Sequence, residues 1–345
     1  MVIHKIVGAE CEKTRSLWKE VFYEDSVQFT DYYFEHKAKL NIGYVIGEFP
    51  YHAMLVRTPY MLHIGDEIRE ISYIVGVATR KEFRKKGYMR CLLQHSFQEM
   101  YQEKQPFTFL MSANPAIYEP FDFRYVYTRD QWKIKDSQSD LKAAEIFNYK
   151  TATNKTRLEG IYTVSQLCQK MPQLPIFEML AEYANAILKE RYSIYVHRDV
   201  AYYKRQLEEI KAQNGDIYVS FEKGRIEGFY LYAKEEEECF IQEVLKQHSD
   251  TFDFIEKSGE KPIIMGRIIH LEEMMKLVKS QEEKEVVLQV EDSWIKENAG
   301  TYRWKIRPWG SEVERLHDET KADFRIRIEE LTTRLLKGVF LNEIV

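Results

Sequence analysis

Residues 71–90, Ile-Ser-Tyr-Ile-Val-Gly-Val-Ala-Thr-Arg-Lys-Glu-Phe-Arg-Lys-Lys-Gly-Tyr-Met-Arg, decide the fold. The run Ile71–Val77 is apolar and rich in β-prone residues, which predicts a buried strand. A basic turn follows, Arg84-Lys85-Lys86-Gly87. Then Met89, Leu92, Leu93, Phe97, Met100 and Tyr101 recur at three- and four-residue spacing, which predicts an amphipathic helix. Strand, basic glycine turn and helix together make an anion-binding device. The first N–H groups of a helix have no partner within it, and the helix dipole favours negative charge there. Gly87 has no Cβ, so an oxygen can come close to the main chain. A solvated basic loop shares this composition; its place directly after a strand ending Val-Ala-Thr is what favours phosphate.

Outward from this stretch the pattern is mixed. Residues 13–39 carry apolar stripes (Leu17, Trp18, Val21, Phe22, then Phe29, Tyr33, Phe34) and read as helical. Strands are expected at 41–49 and 51–57, with a turn at Thr58-Pro59-Tyr60, and again at 107–111 and 125–134. Asn114-Pro115 has the form of an N-cap followed by proline at the first helical position, opening a short helix that carries Tyr118. Strands on both sides of one strand–helix crossover give a mixed α/β sheet.

A polar stretch at 135–143 reads as a linker. Beyond it, helices are expected at 173–189 and 200–213 and strands at 216–222, 225–233 and 240–245, with turns at Asn214-Gly215 and Lys223-Gly224. This order echoes the first unit, but no basic glycine loop follows Leu245. From Lys261 a third pattern begins, with strands at 262–269, 285–290, 300–306 and 322–328 and helices at 271–279 and 328–337. The chain ends Val-Phe-Leu-Asn-Glu-Ile-Val, an apolar ending that points to a docked terminus.

Bulk properties narrow the function. A chain of 345 residues exceeds one ordinary core, so two or three domains are expected. A net charge of −5 argues against a general nucleic-acid binder and favours a cationic substrate. Cys11, Cys91, Cys168 and Cys239 are far apart and the nine histidines show no HxH or HExxH spacing, so neither a metal site nor a disulfide framework is expected. The start of the chain lacks signal-peptide architecture and no apolar run approaches the ~18 residues of a membrane span. These features suit a cytoplasmic protein that does not enter the membrane.

The Val-Ala-Thr…Arg-Lys-Lys-Gly-Tyr-Met loop, the Ala-Ile-Tyr-Glu-Pro-Phe-Asp-Phe segment (116–123) and the apolar C-terminus together resemble the enhanced intracellular survival family of Gcn5-related N-acetyltransferases. The resemblance is strongest over about residues 40–132. It implies an α+β protein of tandem acetyltransferase-type mixed sheets, the second degenerate, plus a sterol-carrier-like domain, with boundaries at 1–135, 144–258 and 262–345. It further implies acetyl-CoA as co-substrate and a small polycationic amine, aminoglycoside-like, as acceptor. A homo-hexamer is also implied.

Carried over by motif, Val77, Ala78 and Thr79 would lie beside the pantetheine arm. Arg84, Lys85, Lys86, Gly87, Tyr88, Met89 and Arg90 would surround the pyrophosphate, and Ala113 and Asn114 would border the cofactor. Tyr118 matches the family's general acid, and the terminal carboxylate, here that of Val345, its general base. Three places depart from the pattern, the first being Ser112-Ala113-Asn114-Pro115, where Pro-Ala or similar small residues often precede the helix. Met89 stands where Gly or Ala is usual, and Asp122 where the turn usually has Gly. A Met side chain can turn into the core, and Asp tolerates positive φ. Acetylation of a protein lysine or N-terminus, and a non-catalytic CoA- or lipid-binding scaffold, are the competing readings.

Overall fold

The computed structural model describes residues 2–135, 158–235, 238–317 and 320–343. The expected linker, Lys135 apart, and Val345 lie outside the described residues. The first part holds β1 (Ile3–Val7), α1 (Arg15–Val21), α2 (Val27–Tyr32), β2 (Ile42–Ile46), β3 (Ala53–Ile64), β4 (Glu67–Thr79), α3 (Tyr88–Gln102), β5 (Phe107–Met111) and β6 (Arg124–Ile134). The middle holds β7 (Gly160–Thr163), α4 (Val164–Lys170), α5 (Ile176–Arg191), β8 (Ile194–Val196), α6 (Val200–Ala212), β9 (Asp216–Glu222), β10 (Arg225–Glu235) and β11 (Glu238–Lys246). The last part holds β12 (Ile255–Ile268), α7 (Leu271–Lys276), β13 (Lys284–Glu291), β14 (Gly300–Arg307), β15 (Gly310–Leu316), β16 (Phe324–Arg327), α8 (Ile328–Leu335) and β17 (Val339–Phe340).

Thirteen described strands form one mixed sheet, in the order β1-β2-β3-β4-β5-β12-β6-β11-β10-β9-β7, with β8 on β3 and β17 on β8. The remaining four pair as β15-β14-β13-β16. The fold is the expected α+β arrangement of acetyltransferase-type sheet and sterol-carrier-like unit. What sequence did not reveal is how the parts are laced. β12 pairs antiparallel with β5 through Ile264↔Met111 to Ile268↔Phe107, and with β6 from Ile255↔Ile134 to Gly266↔Arg124. This long strand runs across positions 258 and 262 and sits inside the first unit's sheet.

The turn expected at Thr58-Pro59-Tyr60 is not there. β3 runs on to Ile64 and turns at Gly65-Asp66, with Pro59 opposite Ser72. On its other side β3 pairs with β2 only over residues 53–57 and with β8 only over 62–64. Pro59 falls in the gap between them, where a missing N–H breaks no ladder. The expected helix at 13–39 is broken into α1, α2 and short 3₁₀ and π turns, with Ser26 capping α2 by accepting from the Phe29 N–H at 3.1 Å. The apolar ending is docked as expected as far as Glu343: Val339 and Phe340 pair with Ile194 and Tyr195, and Leu341, Asn342 and Glu343 are buried.

Candidate active site

The site begins where two parallel strands part. β4 and β5 share a single pair, Tyr73↔Phe109, and no further β4–β5 pair follows among the described residues. A bulge drives them apart. Met54 faces Ala78 while Val56 faces Val75, so β4 carries an extra residue against β3. Gly76 takes φ +59° there, and a Cβ at this position would come within 2.8 Å of the Trp18 ring. Only glycine meets both demands. The result is an open cleft with the end of β4, Val77-Ala78-Thr79, along one edge and Leu110-Met111 along the other. β4 is held by β3 on its far side and β5 by β12, so the facing backbone groups are available to an extended ligand.

Helix α3 starts at the mouth of this cleft. Its N-cap is Gly87 at φ +82°, and a Cβ there would meet no atom within 4 Å. No side chain caps the helix, and the first intrahelical bond runs from the Cys91 N–H to the Gly87 carbonyl at 3.1 Å. The N–H groups of Tyr88, Met89 and Arg90 are therefore left facing outward. Arg84, Lys85, Lys86 and Arg90 are exposed and form no ion pair with another described residue. The turn is fixed by local contacts. The Arg84 Nε donates to the Thr79 carbonyl at 3.2 Å. The Lys86 ammonium lies 4.8 Å over Phe83, which stacks on His52 with ring centroids 3.7 Å apart. Met89 packs against the core beneath α3, which accounts for a large residue at a position where glycine is usual.

Across the cleft, Asn114 caps a 3₁₀ turn, its Oδ1 accepting from the Ala116 N–H at 3.2 Å. Ala113 and Asn114 are both exposed at this rim. Tyr118 follows at the junction of two 3₁₀ turns, half-buried and edge-on to Phe123. Burial pushes its phenol up to about 12, so it stays protonated across the physiological range. Asp122 closes the second turn in the left-handed region at φ +65°, as its short polar side chain allows.

What holds this turn was not foreseen from the sequence. Arg267, on β12, is fully buried. Its Nε donates to the Phe121 carbonyl at 3.0 Å, its Nη1 to the Ile268 carbonyl at 2.6 Å and its Nη2 to Asp292 at 2.6 Å, and Asp122 lies 3.7 Å away. Burial pushes the Asp122 carboxyl up to about 6 in spite of the nearby guanidinium. The Trp294 indole donates to the Pro120 carbonyl at 3.0 Å, and the Arg90 guanidinium lies 5.4 Å over its ring. The last part of the chain thus braces both Tyr118 and the helix start.

The C-terminal segment reaches the same region from the other side. Glu343 accepts from the Tyr202 hydroxyl at 3.2 Å and pairs with Arg198 at 3.5 Å, while Arg198 also meets Glu243 at 3.2 Å. Asn342 donates to the Gln242 carbonyl at 3.0 Å. Lys37 and Glu209 form a second buried pair at 2.6 Å. Burial pushes Glu343 up to about 7, opposed by Arg198. The buried Tyr73 phenol feels Glu343 and also Tyr118, so the tail acid and the cleft tyrosine lie within electrostatic reach of one side chain. Among the described residues no group of three or more His, Cys, Asp or Glu side chains is placed to hold a metal ion, and no helix is long and apolar enough to cross a membrane.

Residues 3–126 match the family model of the acetyltransferase (GNAT) domain, and residues 271–345 that of the sterol carrier protein domain. The chain therefore carries a Gcn5-related acetyltransferase domain followed by a sterol carrier protein domain, and is an enzyme of the N-acetyltransferase class. No curated protein matches the chain. Solved structures share the fold over nearly its whole length. A conserved protein of unknown function from Enterococcus faecalis V583, a probable N-acyltransferase, superposes with TM-score 0.76 at 15% identity, covering 98% of this chain and 90% of the other. A GCN5-related N-acetyltransferase from Anabaena variabilis gives 0.71 at 14%, covering 96% and 89%. Eis1 from Mycobacterium abscessus gives 0.67 at 11%, covering 97% and 90%.

Proposed function

We propose that the protein moves an acetyl group from acetyl-CoA to an amine of a small polycationic molecule of the aminoglycoside kind. The observation that carries this reading is the glycine-capped start of α3 at the mouth of the β4–β5 cleft, with three N–H groups and four cations around it that have no partner among the described residues. Open space over Gly87 and free edge groups on β4 suit a pyrophosphate followed by an extended amide arm.

In this reading, Val77, Ala78 and Thr79 hold the arm by main-chain hydrogen bonds. Arg84 through Arg90 hold the phosphates, and Ala113 and Asn114 line the opposite rim. Acetyl-CoA supplies the acetyl group as a thioester. A β4 N–H stabilises negative charge on the thioester oxygen while the amine nitrogen bonds to the acyl carbon. As the carbon–sulfur bond breaks, Tyr118 gives its proton to the sulfur, which its protonated state supports. Before attack the ammonium gives one proton to the carboxylate of Val345; once bonded to the acyl carbon the nitrogen gives up its second proton, which returns through solvent to the Tyr118 phenolate. The buried, tethered course of residues 339–343 toward this region supports that role. The net charge of −5 favours a cationic acceptor.

The three units, 1–135, 144–258 and 262–345, act here as one body laced by β12, assembled as a homo-hexamer by family resemblance. The interior of the sterol carrier unit is filled by its own Leu288, Val290, Tyr302, Trp304 and Leu331, which supports a structural use. Thiol release from acetyl-CoA with a panel of aminoglycosides, polyamines and lysine peptides tests the proposal. Release with the aminoglycosides and polyamines is expected; release with peptides alone, or with none, would overturn it.

A further inference from the structure

A second cleft opens on the same sheet. β6 and β11 share one pair, Ile241↔Trp132, and then separate. The space between them is a cavity of about 520 Å³, lined by β6 from Val126 to Trp132, by residues 242–249 and by the tail from Gly338 to Asn342. That volume falls within the range of about 300–1,000 Å³ typical of small-molecule sites.

The lining is unusual in its unmet hydrogen-bonding groups. Arg129 makes no hydrogen bond or ion pair with another described residue, and its Nη1 is buried without a partner. The adjacent Asp130 is occupied by Lys257 at 2.7 Å, so no carboxylate among the described residues pairs with Arg129. Lys246 is tied to the Ser249 and Thr251 carbonyls, and Arg191, at the rim, donates to the Lys246 carbonyl. Glu243 is 5% exposed with Oε1 unpartnered, and Asn342 is 8% exposed with Oδ1 unpartnered. Arg129, Glu243 and Asn342, each with a buried polar atom unpartnered among the described residues, thus line one cavity with Tyr127, Trp132, Tyr192 and Phe340.

We propose that this cleft binds a small zwitterion, a free α-amino acid with an apolar side chain. Its carboxylate meets Arg129, its ammonium meets Glu243 and Asn342, and its side chain lies among the aromatic walls. The site is separate from the acetyl-transfer cleft and stands whether or not Val345 acts as base. Because Asn342 forms part of the wall, an occupant also tightens the tail.

Titration calorimetry with L-phenylalanine, L-phenylalaninamide (no carboxylate) and 3-phenylpropanoate (no ammonium) tests this on the whole protein. L-phenylalanine is expected to bind, the other two at least tenfold more weakly. Arg129→Gln, with unchanged thermal unfolding and acetyl-CoA affinity, should weaken L-phenylalanine at least tenfold. Amide exchange of residues 339–343 should slow when it binds. Should all three compounds bind alike, or none bind, the proposal fails. It fails equally if residues 126–132 prove protected by a second copy of the chain in the absence of ligand.

Discussion

The two clefts of the large sheet begin alike and end differently. Each opens after a single pair of residues, Tyr73↔Phe109 in one and Ile241↔Trp132 in the other. After β4 the chain makes a basic turn and starts the fifteen-residue helix α3 at Gly87. After β11 it turns through residues 247–254 and enters β12 directly, with no helix. The first cleft therefore presents a helix start, with its free N–H groups and dipole, which the second lacks. Strand separation makes room, and the element that follows decides what can occupy it. β12 serves both, as the outer partner of β5 in the first cleft and of β6 in the second.

The comparison can be broken at several points. Residues appended after Val345 should lower turnover about a hundredfold or more, the scale of a lost general base, while acetyl-CoA affinity is retained; unchanged steady-state turnover would remove the carboxylate from the mechanism. Tyr118→Phe should lower kcat by a similar order of about a hundredfold with little change in affinity. Full activity in that variant would mean the proton comes from elsewhere. Arg267→Gln leaves Asp292 buried without its cation and frees the Phe121 carbonyl. A loss of roughly 3–5 kcal/mol is expected in denaturant unfolding, and a loss near zero would mean the turn under Tyr118 does not depend on β12.

A smaller effect concerns the tail. Glu343 binds its proton more tightly in the folded chain, at about 7 against an ordinary 4.5. Its contribution to stability is therefore greatest below the ordinary value and is lost as pH rises through about 7. The groups that face it are Arg198, Glu243, Lys37, Glu209 and Tyr202. Glu343→Gln should flatten the fall in melting temperature over this window. A variant that parallels the parent across it would place the titration on another group.

Sequence periodicity found the parts whose information is local. The strand–turn–helix at 71–90, the Asn114 cap and the hairpin turn at Lys223-Gly224 were legible, because each is set by neighbouring residues, whereas the turn at Asp122 came from the family resemblance. The bulge at Gly76 was not, since it needs Trp18 across the sheet to explain it. Pro59 suggested a turn because local preference says nothing of which strand edge is unpaired. The short strands β7 and β8 carry too few residues to show alternation, and β8 matters because it receives the tail. Arg267, Trp294 and Glu343 escaped notice because their partners lie far away in the chain: 146 residues separate Arg267 from Phe121, 174 separate Trp294 from Pro120 and 141 separate Glu343 from Tyr202.

The difference between the clefts reduces to one quantity, the number and place of acetyl-CoA sites. Calorimetric titration of acetyl-CoA into the parent protein and into Gly87→Val measures it, since a β-branched side chain at φ +82° both strains the helix start and closes the space above it. One site per chain is expected in the parent, with affinity at least tenfold weaker in Gly87→Val. Two sites per chain, or an affinity untouched by the substitution, would contradict the assignment of the phosphates to the start of α3.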